Sequence, residues 1–214
     1  MVTQELVGSD AVTLEQVDKV LRAQGFAVPR ADLEEVTARI NAIVAGFLQL
    51  DYVDTQLEPF MSGAEQARLM ERGELTSRAL VELYLDRIAA YDAGLHSFIT
   101  VCGPAALQAA EAAGAARAAG VVRGPLHGLP FAVKDQFQVA GVEVTGGSRS
   151  RRGRVAQSDA TVVARLRAAG AVFLGTLNTH EFHWGPTQEF PYGTPKNPWN
   201  LSRDPGGSSS GSAS

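Results

Sequence analysis

Apolar positions in the first part of the chain recur every three to four residues, the spacing of one helix face. Thr13-Leu14-Glu15-Gln16 is a capping box, with Thr as cap and Gln three residues on. Leu14, Val17, Val20 and Leu21 continue the stripe, and Gly25 and Pro29 stop it. A second, longer pattern runs from about Asp32 to Leu50 through Leu33, Val36, Ile40, Ile43 and Val44. The two predict a helical hairpin, behind a frayed terminus at residues 1–12. Plain helical packing accounts for the hairpin; a homodimer contact or a substrate-channel element is the functional alternative. After a break at Asp51–Gly63, a third unit opens at Met61-Ser62-Gly63. A helix follows from Ser77 to Tyr91, with Leu80, Val81, Leu83, Tyr84, Ile88 and Ala89 on a broad apolar face. A short strand at His96–Val101 and an alanine-rich helix from Pro104 to Gly120 come next.

The period then changes. Leu129–Val133 is a short apolar run with strand character. Asp159 is a good cap for a helix over Ala160–Ala169, which Gly170 ends, and Ala171–Leu174 reads as a buried strand. Helix and strand alternation predicts an α/β domain with a mixed or parallel sheet. The last stretch, Asn178–Ser214, is rich in Gly, Pro, Asn and Ser. Irregular stretches of that length inside a compact domain are often functional. The division expected is a helical extension over residues 1–60 and an α/β portion over 61–214.

Composition narrows the function classes. A net charge of −4 over 214 residues gives no basic excess, so neither a nucleic acid nor an anionic membrane is indicated as partner. The one basic cluster, Arg149, Arg151, Arg152 and Arg154, reads as a solvated loop. The single cysteine, Cys102, rules out an internal disulfide and reads as a small buried hydrophobe. That usage fits a reducing cytosol, so the expected localisation is cytoplasmic. No signal-peptide pattern precedes Asp10, and no window is long and apolar enough to span a bilayer.

Three segments carry candidate chemistry. Lys134 follows Phe131-Ala132-Val133 at the end of an apolar strand. Buried there, it would lose charge through desolvation and serve as a general base. A lysine snorkelling to water is the alternative. The run Gly206-Gly207-Ser208-Ser209-Ser210-Gly211-Ser212 admits three readings: a flexible linker, a phosphate-cradling nest, or a serine-based catalytic loop. His180, Glu181 and His183 lack metal-binding spacing, so the third segment reads as loop structure or a pocket wall. No metal or cofactor is expected.

Four blocks in one order carry a family resemblance. They are Leu75-Thr76-Ser77 with the helix through Asp86-Arg87-Ile88; Gly124-Pro125-Leu126-His127-Gly128-Leu129-Pro130 through Lys134-Asp135; Asp159-Ala160-Thr161 through Gly175, with Asn178 and Glu181-Phe182; and Asn197-Pro198-Trp199-Asn200 through Ser209. From about Glu65 onward the chain resembles the amidase signature family, hydrolases that cleave amide bonds with a Ser–Ser–Lys triad. The resemblance implies a mixed sheet covered by helices on both faces, of which this chain would hold the N-terminal portion. It implies Lys134 as general base and Ser208 as bridging serine on a cis peptide bond. It places the nucleophilic serine past Ser208, beyond the last residue here. The expectation is therefore an amidase whose nucleophile comes from a longer chain or a second polypeptide, this chain alone being inactive. A small-molecule amide would be the substrate. The alternative is a non-catalytic fragment or assembly subunit of an amidotransferase-like complex. Ser210 departs from the family's usual glycine and requires a negative φ there. Phe182-His183-Trp184-Gly185 would lie near the acyl pocket, with Trp184 equally readable as core.

Overall fold

A computed structural model of the chain describes residues 13–23, 29–34, 37–38, 61–184 and 190–214. The chain divides into two compact units, Met1–Leu57 and Glu58–Ser214. In the first, α1 (Leu14–Ala23) starts at a reciprocal cap. Gln16 N–H donates to Thr13 Oγ1 at 3.2 Å, and Thr13 N–H to Gln16 Oε1 at 2.8 Å. Two amide donors that no helix turn reaches are thereby satisfied. Val17 is buried on its inner face. Residues 30–34 and 37–38 are helical, with Leu33 buried. The rest of the Asp32–Leu50 pattern, the frayed terminus and the break at 51–60 lie outside the described residues.

The second unit runs α2 (Gly63–Glu71), α3 (Ser77–Leu95), β1 (Phe98–Val101), α4 (Gly103–Ala118), β2 (Pro130–Lys134), α5 (Thr161–Ala168), β3 (Val172–Leu177) and α6 (Ser210–Ala213). Ser62 and Thr76 cap α2 and α3 through their hydroxyls, accepting from Glu65 N–H and Ala79 N–H. Among the described residues the sheet has three strands in the order β1-β3-β2. β3 pairs antiparallel with β1 and parallel with β2, so the sheet is mixed.

The period-2 alternation of β3 divides the core. Val172 and Leu174 pack with Val81 of α3 and Ala106 and Ala110 of α4. Phe173, on the opposite face, packs with Val133 of β2, Val139 and Val163 of α5. Helices thus cover both faces, and each fully buried valine contributes roughly 1.5–3 kcal/mol. A third cluster, Met70, Leu80 and Leu129, seats α2 and α3 against the entry to β2. The Ser77 hydroxyl, itself buried, donates to Gly128 O at 2.7 Å and ties the start of α3 to the same loop.

Several local expectations are corrected. Asp159 does not cap α5: Ala160 occupies the cap position without a side-chain bond. Asp159 accepts instead from Ala140 N–H at 2.7 Å and from the Arg167 guanidinium at 3.0 and 3.1 Å. A charge-assisted bond to an arginine two turns along the same helix outcompetes the first-turn amides. Leu83 is 43% exposed, so the buried face of α3 is narrower than its apolar pattern. Cys102 is only partly buried, at the turn into α4. β3 extends to Leu177 because β1 and β2 flank it on both edges.

Candidate active site

β2 and β3 end side by side, with Lys134 in register with Leu177. β2 delivers Lys134 there, and β3 runs on into Asn178-Thr179-His180. The Gly/Ser loop returns to this edge. Lys134 Nζ donates to Ser208 Oγ at 2.6 Å, and the Gly207–Ser208 peptide is cis. Burial lowers the Lys134 pKa from the ordinary lysine value.

The continuation of β3 fixes Ser208 from the other side. Ser208 O accepts from the Thr179 hydroxyl at 2.7 Å and from His180 N–H at 3.2 Å. Asn178, also buried, donates through Nδ2 to His96 O and Gly193 O, both at 2.9 Å. Its Oδ1 accepts from Thr179 N–H. Gly211 N–H then donates to Asn178 O at 2.9 Å. A Cβ on Gly211 would collide with Ser97 O and Asn178 N, so only glycine admits this close approach. Ser210, the departure from the family run, lies in α6 and is not among the positive-φ residues, meeting the condition the sequence set for it.

Asp135 follows Lys134 and is fully buried. Its Oδ2 accepts from Thr145 N–H at 3.0 Å, from the Thr145 hydroxyl, and from Gly147 N–H at 3.5 Å. Burial raises its pKa, against the opposing effect of these donors. Asp135 clamps the 145–148 loop beneath the site. Sequence reasoning missed this clamp, as it missed Thr179. The signals were a carboxylate directly after an apolar strand and the second Gly-Gly-Ser run, Gly146-Gly147-Ser148.

His183 lies beside the pair. Its Nδ1 is 3.1 Å from Thr179 Oγ1. Burial lowers its pKa first, followed by the charges of Lys134 and Arg151. Phe182 and His183 hold φ of 49° and 64°, left-handed values uncommon for residues with side chains. Trp184 is 83% exposed, which overturns its reading as core: the short turn at Glu181–His183 lies at the surface. Of the arginine cluster, Arg149, Arg152 and Arg154 are exposed as a solvated loop requires, but Arg151 is partly buried and its guanidinium lies over the Phe182 ring at 5.4 Å. Among the described residues no group of three or more His, Cys, Asp or Glu side chains is placed to hold a metal.

Comparison with known proteins matches this architecture. The family model described as Amidase covers residues 79–214. A glutamyl-tRNA(Gln) amidotransferase subunit from Salinispora arenicola (strain CNS-205) is 47% identical over 154 residues, 72% of this chain and 31% of that protein. The corresponding subunit from Anaeromyxobacter dehalogenans (strain 2CP-C) is 51% identical over 140 residues, 65% of this chain and 28% of that protein. The chain thus spans about a third of the length of these relatives. Among solved structures, native peptide amidase from Stenotrophomonas maltophilia superposes with a TM-score of 0.66 at 36% identity, covering 76% of this chain and 34% of that one. A chain of the vestigial protein complex reported for the origins of an s-triazine catabolic enzyme gives 0.68 at 40% identity, covering 71% and 34%. The four sequence blocks, the mixed sheet and these matches lead to one conclusion: the chain belongs to the amidase signature family.

Proposed function

We propose that this chain supplies the proton-handling part of an amide hydrolase. The observation that carries the reading is the 2.6 Å contact between Lys134 Nζ and Ser208 Oγ, with the lysine pKa lowered by burial. Neutral Lys134 accepts the Ser208 proton, and Ser208 accepts the proton of a nucleophilic serine. That serine attacks the amide carbonyl. The proton returns from Lys134 through Ser208 to the leaving amine, which departs and leaves an acyl-enzyme. Water, deprotonated along the same relay, releases the acid and restores the serine. The nucleophile is supplied by a longer chain or a second polypeptide, and the substrate is a small-molecule amide.

The test is hydrolysis of small primary amides by the native assembly, with Lys134→Met and Ser208→Ala as variants. Ammonia release lost in both variants supports the reading. Unchanged release in either one refutes the relay.

A second reading rests on the 47% identity to a glutamyl-tRNA(Gln) amidotransferase component. In it the chain acts within a multi-subunit assembly that transfers ammonia rather than releasing it. Native intact mass with identification of co-purifying polypeptides, followed by assay of ammonia release against ammonia transfer, separates the two.

A further inference from the structure

Arg151 differs from the described arginines that form ion pairs. Arg22, Arg72, Arg78 and Arg167 each pair with a carboxylate. Arg151 has no carboxylate partner among the described residues, although it is partly buried. It is held in place all the same. The Phe182 ring lies under its guanidinium, and Phe182 N–H donates to Gly146 O at 2.7 Å. Gly146, at a φ of 60°, separates Arg151 from His183. A Cβ there would lie 3.4 Å from an Arg151 terminal nitrogen and 3.6 Å from His183 Nε2. The ends of both side chains therefore lie against Gly146, and His183 in turn touches Thr179, which holds Ser208.

The neighbouring imidazole does not duplicate the charge. The Thr179 hydroxyl has one proton, and Ser208 O at 2.7 Å takes it. Toward His183 the hydroxyl can only accept, so Nδ1 carries the hydrogen and Nε2 presents a lone pair. Desolvation and the nearby cations favour that neutral form. The corner thus holds one fixed, unpaired guanidinium, a planar donor suited to a carboxylate.

Resting on the hydrolase reading above, we propose that Arg151 anchors the carboxylate of the substrate, so that the site selects amides whose acyl part carries a second, anionic carboxylate. Phe182 orients the guanidinium.

The experiment measures binding of malonate, succinate and glutarate to the native assembly by calorimetry, beside kcat/KM for succinamate and its uncharged methyl ester. Arg151→Met keeps the apolar stem on Phe182 and removes the charge; Arg151→Lys keeps the charge and loses the fork. At least one dicarboxylate should bind, and Arg151→Met should weaken it about tenfold or more, the effect of losing one charge-assisted bond. Arg151→Lys should retain part of the affinity. Succinamate should be preferred over its ester, and Arg151→Met should remove that preference through KM. Dicarboxylate binding lost in Arg151→Met without amide hydrolysis in any form sustains the anchor and refutes the hydrolase reading alone. Absence of dicarboxylate binding, or affinity indifferent to Arg151→Met, overturns the anchor whatever the hydrolysis assay gives.

Discussion

The Thr179 hydroxyl donates to the Ser208 carbonyl at 2.7 Å, so the chain leaving β3 grips the residue that Lys134 reaches from β2. Two parallel neighbouring strands thereby converge on one serine. β2 supplies the group that addresses its hydroxyl, and β3 supplies the group that fixes its backbone.

Thr179→Val should remove that grip while keeping the side-chain shape. Loss of one hydrogen bond with a carbonyl left behind costs about 1–3 kcal/mol. Amide hydrolysis should fall mainly in kcat, because Ser208 is misplaced rather than the substrate site reshaped. Thr179→Ser should restore most of it. Steady-state kinetics of the three forms checks this.

Lys134→Met should lower kcat/KM by about 10²–10⁴, the usual contribution of a general base. Burial lowers the Lys134 pKa, so neutral lysine is populated below the ordinary lysine range. Activity should rise with pH along a limb whose midpoint lies below about 10.4, the unperturbed value. The sign for stability follows from the same shift. The folded state binds its proton less tightly than the unfolded state, so this group's contribution becomes more favourable as pH rises through that window. A pH–rate profile and alkaline melting curves test both, and Lys134→Met should flatten the stability difference.

Asp135→Ala should destabilise the protein by about 3 kcal/mol, because Thr145 N–H, the Thr145 hydroxyl and Gly147 N–H lose their buried acceptor. Asp135 shifts in the opposite sense from a salt-bridged carboxylate. Its pKa is raised by burial, so the stability linked to its protonation is fully present below the unfolded carboxyl value and is lost as pH rises through the folded value. Chemical denaturation of the native assembly at two pH values measures the loss and its direction.

Cys102 should react slowly with thiol reagents. Burial raises its pKa, only partly countered by the charge of Arg167, so little thiolate is present near neutrality. The rate with a disulfide reagent at pH 8 should lie below that of free cysteine. A rate equal to or above it would mean the thiol is not shielded by its neighbours.

Much of the fold was legible because it rests on short-range chemistry. The capping box at Thr13 and Gln16 and the stop of β2 at Lys134 each depend on residues within a few positions of one another. The Thr76 hydroxyl, three residues from Ala79 N–H, marks the start of α3 in the same way. The alternation Val172, Phe173, Leu174 already implies a strand buried on both faces. Where local rules competed, the sequence misled. Asp159 looked like a cap and became the partner of Arg167, since a guanidinium offers a stronger bond than an amide.

By itself the sequence determined the family, the α/β class and the two residues, Lys134 and Ser208, on which the proposed chemistry turns. Only the tertiary structure decided what surrounds them. The 2.6 Å contact spans 74 positions, Thr179 meets Ser208 across 29, and Asp135 meets Thr145 across 10. Arg151 left a solvated loop for the ring of Phe182, and Trp184 left the core for the surface. Caps and alternation are governed by backbone geometry within one turn or pleat. Contacts at such separations exist only once packing of β2, β3 and the Gly/Ser loop has closed them.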